Sequence, residues 1–303
     1  MASWAIVATV NAPVDQVLAF VAHHLTLHPA RIRLYFDDPA DPALTAIRPI
    51  AGVEAIACDL DHWQGQNGHR PDRHQERQSM NAQACYCDAR EDWLLHIDVD
   101  EFLLPDRPVA EILRAVPRRR PILRVAPFEA LHDPAVADDI FTARHFRQAL
   151  AGPAHAEARA AVFGRYAELL PAGVLSHAIG KCFFRTGIAD LRPWLHGARL
   201  NGERVPQGPA SADLALLHFH AQDPVAWRAR LPFRLARGAY VLKPELQTFL
   251  AAADGATIDA FYHHVQTATL EALALLRDRG LVIEATLNLR AKIAKMNGDT
   301  DGQ

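Results

Sequence analysis

Trp93-Leu94-Leu95-His96-Ile97-Asp98-Val99-Asp100-Glu101-Phe102-Leu103 is an apolar run that enters three carboxylates within four positions. Taken as a buried strand over Trp93 to Val99, it turns Asp98 and Asp100 to the same side. Two carboxylates that close repel each other unless a cation or a proton lies between them. Hard oxygen ligands suit Mg²⁺ or Mn²⁺, which also bind substrate phosphates. Such a cation would neutralise a diphosphate leaving group. The plainer reading is a solvated strand end with acidic turn residues, since a bare Asp-x-Asp is common. The apolar strand before it, the adjacent Glu101 and the flanking Trp93 and Phe102 favour the functional one.

Working outward, Trp4 to Val10, Arg31 to Phe36, Val53 to Ala57 and Pro121 to Ala126 read as further strands. Between them, Val14 to Leu27 has apolar residues at helical spacing behind Pro13, Arg73 to Ala89 is rich in helix formers, and Val109 to Val116 makes a short helix. Asp59 to Asp72 is polar and reads as a loop. Strand alternating with helix predicts an α/β fold with a mostly parallel sheet covered on both faces. Ligands of such sheets bind beyond the carboxyl ends of the strands. Asn11, Asp37-Asp38 and Asp98 to Glu101 all fall at such ends. From His132 to Pro209 one strand stands out, Lys181 to Arg185. Beyond it Pro224 to Tyr240, Ile258 to Arg279 and Glu284 to Lys295 read as helices, and the polar tail 297–303 as frayed. The expected organisation is a catalytic domain over 1–220 and a helical C-terminal extension over 221–303.

Composition narrows the function. With 303 residues, half of them apolar, the chain can bury a sizeable core. Its net charge of −3 offers no field for nucleic acid. The prolines around Arg118-Arg119-Arg120 make that run an exposed turn. Met1 to Val10 lacks a basic leader and is too short to span a bilayer, and no later stretch is long and uncharged enough. The expectation is a soluble cytoplasmic protein, with peripheral membrane contact left open. The four cysteines, Cys58, Cys85, Cys87 and Cys182, match no disulfide or zinc spacing and read as free thiols.

The acidic stretch resembles the W-x-x-x-x-D-x-D-E-F signature of family-2-like bacterial glycosyltransferases. Further pieces follow in the same order: Ala22-His23-His24 at the end of the first helix, Tyr35-Phe36-Asp37-Asp38 after the second strand, and Gln75, Gln78 and Asn81 on the helix before the motif. Gly180-Lys181 and Leu217-His218-Phe219-His220 complete the set. The resemblance covers about residues 4 to 240. It implies a GT-A-like, Rossmann-like fold, a nucleotide-sugar donor and a Mn²⁺ or Mg²⁺ ion. By position it puts Asp98 against the ribose or the metal, Asp100 on the metal as main carboxylate, and His218 as a later ligand. Asp37 or Asp38 would bond the nucleobase, and Thr9 to Asn11 would line its pocket. Relatives usually carry Lys-Asn-Glu after the first strand, where this chain has Val10-Asn11-Ala12.

Other groups have roles that the spacing leaves open. Lys181, at the head of its strand, could meet a phosphate as a point charge or be an ordinary strand-edge lysine. His218 and His220 share one face of a strand and could ligate a metal or cap a surface strand. A base for the acceptor hydroxyl could come from Glu129, His132, Asp133 or Asp190, the last lying downstream of the motif, where relatives often place their base; within the motif, Asp100 and Glu101 are the catalytic candidates. The functional expectation is a metal-dependent glycosyltransferase acting on a glycan, lipid or small acceptor. The alternatives are a nucleotidyltransferase, against which stands the lack of a Gly-rich phosphate loop, and a non-catalytic nucleotide-sugar-binding relative.

Overall fold

The structure is a computed structural model and describes residues 1–136 and 140–300. In chain order the elements begin β1 (Trp4–Val10), α1 (Val14–Leu25), β2 (Arg31–Phe36), α2 (Pro42–Ile47), β3 (Val53–Ala57), α3 (Leu60–Asn67) and α4 (His74–Cys87). Next come β4 (Trp93–His96), β5 (Glu101–Pro105), α5 (Val109–Ala115), β6 (Ile122–Ala130), β7 (His145–Gln148) and α6 (Ala156–Phe163). The chain continues through β8 (Lys181–Arg185), β9 (Leu191–Trp194), β10 (Gly197–Leu200), β11 (Glu203–Arg204) and β12 (Leu214–His218). It ends in α7 (Pro224–Ala236), α8 (Pro244–Ala252), α9 (Gly255–Gln266), α10 (Leu270–Asp278), β13 (Val282–Glu284) and α11 (Leu289–Thr300).

These elements form two compact units. The first comprises 1–126, 179–216 and 288–303, the second 127–178 and 217–287. The chain thus passes between units four times, within β6 and β12 among other places, whereas a single boundary at 220/221 is what the sequence pattern suggests. Interleaving of this kind leaves no composition shift to mark it.

The first unit is α/β. Its strands run in the order β6-β8-β4-β1-β2-β3. β1 lies parallel to both β2 and β4, and β2 parallel to β3, while β8 runs antiparallel between β4 and β6. Ala5 and Val7 of β1 join a core with Trp63, Ala82, Cys85 and Leu94. Ile6 and Ala8 on the opposite face are fully buried too, so both faces are covered and the strand reads as one apolar run. The antiparallel trio β9-β10-β11 adds a small second sheet.

The second unit pairs the end of β6 with β7, and β7 with β13, all antiparallel. Helices α6 to α10 surround a core that includes Phe163, Tyr166, Trp227, Tyr240, Phe261 and Tyr262. Trp227 donates from Nε1 to the Tyr240 hydroxyl at 2.9 Å, which satisfies the one polar atom of the buried indole. No helix among the described residues is long and apolar enough to cross a membrane.

Several expectations change, among them the helix expected from Glu284: that residue ends β13, and α11 follows from Leu289. Residues 60–67 form α3, capped by Asp59 on the His62 N–H; only Trp63 is buried, so no apolar stripe marks it. The run 258–279 is two helices broken at 267–269, where Thr269 caps α10 and His132 bonds the neighbouring backbone. The helix from Pro224 ends at Ala236 and becomes a 3-10 turn at Ala239–Leu242. Residues 297–300 are the last turn of α11 rather than a frayed tail, and 301–303 lie outside the described residues.

Candidate active site at the carboxyl edge of the parallel strands

Parallel pairing brings the ends of β1, β2 and β4 to one edge of the sheet in the first unit. Val10 lies beside Phe36, and Val7 beside His96. Asn11, Asp37 and Asp98 therefore leave the sheet on the same side, as the alternation predicts.

β4 stops at His96, earlier than Val99. Residues 98–101 form a tight turn closed by the Glu101 N–H on the Asp98 carbonyl at 3.0 Å. The strand argument for Asp98 and Asp100 therefore gives way to turn geometry. A turn is the better solution for crowded carboxylates, because each can splay away from the next. The Glu101 side chain is fully buried, and its Oε2 accepts the Asp98 N–H at 2.8 Å.

Asp98 is held from two sides. Gln78 Nε2 donates to Oδ1 and Lys181 Nζ to Oδ2, each at 2.7 Å. The Lys181 side chain is buried and its ammonium is also 3.5 Å from Glu101. Burial opposes its charge, but the carboxylates of Asp98, Glu101 and then Asp100 outweigh it and raise its pKa above the ordinary lysine value. The lysine considered as a phosphate contact is thus an internal counter-ion of the acidic turn. Next to it, His96 is fully buried, and burial together with the Lys181 charge lowers its pKa to about 4, so it stays neutral.

The strand after the turn is gripped by the two histidines that end α1. His24 Nε2 accepts the Leu103 N–H at 3.2 Å, while its Nδ1 lies 2.8 Å from the Phe20 carbonyl. His23 Nε2 lies 2.9 Å from the Leu103 carbonyl, and its Nδ1 lies 2.9 Å from Lys292 Nζ. Both peptide groups of Leu103 are thereby fixed, two residues beyond Glu101.

At the end of β2, Asp37 forms a two-pronged pair with Arg77: Nε to Oδ1 at 2.6 Å and Nη2 to Oδ2 at 2.8 Å. Arg70 adds a third approach at 3.0 Å. Arg77 Nη1 also donates to the carbonyls of Pro71 and Asp72. Asp38 is exposed and accepts the Ala40 N–H at 2.9 Å. Thr9 Oγ1 accepts from the buried Asn81 at 3.1 Å, and Asn81 Oδ1 is 3.0 Å from His62 Nε2. Asn11 is exposed. Arg77 escaped the sequence reading. Arg77, Asn81 and Cys85 fall four apart, a buried helical stripe that is polar at its site end and so leaves no hydrophobic pattern.

Asp190 does not belong to this edge. Arg185 pairs with Trp93 and Cys182 with His96, so the chain beyond Arg185 leaves at the opposite end of β4 from Asp98. Asp190 is exposed there, in a turn with φ 57°. A residue at the sheet end itself is His196, whose Nδ1 lies 2.8 Å from the Gly180 carbonyl.

The remaining candidates lie in the second unit. Glu129 is buried against Arg147 and accepts the N–H groups of Leu175 and Ser176, at 3.0 and 2.7 Å. Lys243 donates to the carbonyls of Val174, Leu175 and Ser176. The 174–176 backbone is thus clamped from both sides, and Glu129 serves that clamp. Asp133 pairs with Arg144, and His132 Nδ1 lies 3.1 Å from the Gln222 carbonyl. His218 has the rings of His177 and His220 beside it, with centroids at 5.1 and 5.5 Å.

No protein-family model matches the sequence, and a search of curated proteins finds no match. Among solved structures, the chain is similar to HddC from Yersinia pseudotuberculosis, at 10% identity and TM-score 0.30, over 49% of this chain and 68% of that one. It is also similar to residues 1–349 of TarS from S. aureus, at 10% identity and TM-score 0.30, over 91% and 72%. A third is the galactosyltransferase LgtC in complex with donor and acceptor sugar analogs, at 14% identity and TM-score 0.25, over 60% and 57%.

Proposed function

We propose that this protein is a metal-dependent glycosyltransferase that takes its sugar from a nucleotide-sugar donor. The observation that carries the reading is the acidic turn Asp98–Glu101 at the carboxyl edge of β1, β2 and β4, with Lys181 inside it. When all are charged, three carboxylates less one ammonium leave −2, which a divalent ion neutralises. The donor set is hard oxygen, which suits Mn²⁺ or Mg²⁺. Asp98 and Asp100 would hold the ion, which when bound supplies positive charge to a departing diphosphate.

The other residues orient this pair. Gln78 and Lys181 fix the Asp98 carboxylate, and Glu101 fixes the turn through the Asp98 N–H. The nucleoside would lie along the same edge toward Asp37, Asp38, Thr9 and Asn11. Asp37 is ordered there by Arg77, while Asp38 is the more exposed carboxylate. The resemblance adds His218 as a ligand. The acceptor is a glycan, a lipid or a small molecule.

Incubation with a panel of nucleotide sugars and Mn²⁺, watching for nucleoside diphosphate, tests the reading. Metal-dependent release with one donor supports it. Release of pyrophosphate points to nucleotidyl transfer, and binding without turnover to a non-catalytic relative. Titrating Mn²⁺ against activity in His218→Ala tests the added ligand: an unchanged dependence removes it.

A further inference from the structure

We propose that the outer face of α7 and the turn that follows it form a docking surface for an anionic lipid bilayer. A helix on a folded unit normally turns charged or polar residues to water. Here the residues turned inward are Trp227, Leu231 and Arg234. The opposite face is exposed and carries Val225, Ala226, Ala229, Phe233 and Ala236. Val225 is 77% exposed and Phe233 57%. The 3-10 turn adds Leu242 at 87% and Val241 at 44%. A groove of about 580 Å³ beside Pro232, Leu235 and Ala236 is lined mainly by small and apolar side chains. Apolar surface gathered in this way marks an interaction site.

Charge selects the partner. Residues 224–244 contain Arg228, Arg230, Arg234, Arg237 and Lys243 and no acidic residue, in a chain whose net charge is −3. Three of the five are committed: Arg228 to Asp259, Arg234 to the His220 carbonyl, and Lys243 to the 174–176 backbone. Arg230 and Arg237 have exposed side chains without an acidic partner among the described residues. At 100° per residue they fall within about 60° of Phe233 on the helix wheel. Aromatic and aliphatic side chains framed by free arginines suit an interface in which the apolar groups enter the acyl boundary and the guanidinium groups meet lipid phosphates. Asp223, which caps α7 through Oδ1, and the exposed Glu245 flank this segment, so 223–245 keeps a charge of +3, five cations against two carboxylates.

The test is flotation of the full chain with phosphatidylcholine vesicles, with and without phosphatidylglycerol. The wild type is expected to float with the anionic vesicles and to be released by salt. Phe233→Asp with Leu242→Asp removes flotation on both. Arg230→Ser with Arg237→Ser lowers partition on anionic vesicles by roughly tenfold or more, since each juxtamembrane arginine contributes a several-fold factor. All four side chains are exposed, so unchanged thermal unfolding controls for folding. Absence of wild-type flotation, or equal flotation on both vesicle types, overturns the proposal. So does sedimentation showing a wild-type dimer that Phe233→Asp splits, because the face then belongs to a protein interface.

Discussion

The Lys181 ammonium stands 2.7 Å from Asp98 Oδ2, and its side chain is almost wholly buried while that of Asp98 is 29% exposed. The acidic turn therefore carries its own cation before any metal arrives. Removing it by Lys181→Met should cost about 3 kcal/mol, the low end for unpairing a buried charge, because Asp98 keeps some solvent. It should also leave the carboxylates more dependent on a divalent ion. Thermal unfolding with and without Mn²⁺ checks this: the ion should raise the Tm of the variant more than that of the wild type. Equal shifts would mean that lysine and metal do not share the same charge.

Asp100→Asn should leave the fold intact and lower turnover by roughly a hundredfold or more, the scale on which charge-stabilising groups act. The substitution keeps the side-chain size and relieves repulsion within the turn. Binding of nucleoside diphosphate to the wild type should need Mn²⁺, since the diphosphate otherwise meets a turn that stays net negative even with Lys181 inside it. Calorimetry with EDTA reads the second claim; undiminished affinity without metal would contradict it.

Asp37 and Asp38 should separate in their effects. Asp37→Ala leaves Arg77, buried and bonded to two backbone carbonyls, without its carboxylate. An unsatisfied buried group of this kind costs about 1–3 kcal/mol, so Tm should fall together with donor affinity. Asp38→Ala loses only a turn bond on the surface. It should raise the donor KM at nearly unchanged Tm and kcat, as expected of remote, uniform binding. A fall in kcat at unchanged KM would bring Asp38 to the reacting centre instead.

Most strands of the first unit's large sheet were legible from local apolar patterning: the bounds of β1, β2, β3 and β8 match their sequence reading residue for residue, while the parallel β4 stops three residues early. Strand ends supplied the site edge in the same way. What escaped was polar or discontinuous. The helix α3 buries one side chain, Trp63, so no periodicity reveals it. The Arg77–Asp37 pair joins positions forty apart, and the Lys181–Asp98 pair positions eighty-three apart. Such pairs depend on register, which a sequence does not display. Asp190 is the converse case: its position downstream in sequence says nothing about the antiparallel pairing, which carries the chain to the other end of β4 from Asp98.

The histidine grip on Leu103 predicts acid sensitivity of the strand after the turn. His24 accepts the Leu103 N–H at Nε2, so protonation there would set two donors against each other. Burial, then the Lys292 charge, lowers the His23 pKa to about 4, and burial, then His23, holds that of His24 well below the ordinary histidine value. Both values fall below the unfolded value near 6.5. Between pH 6.5 and 4 the unfolded chain thus binds protons that the folded chain does not, so stability rises with pH and is lost as pH falls through that window. Each histidine should contribute up to about 1.4 kcal/mol per pH unit there. Urea unfolding at pH 7 and pH 5 should show the loss. In His24→Gln the neutral-pH stability falls, since the Leu103 bond is weakened, but the slope between the two pH values becomes shallower. A variant with the wild-type slope would show that the buried pair is not what titrates.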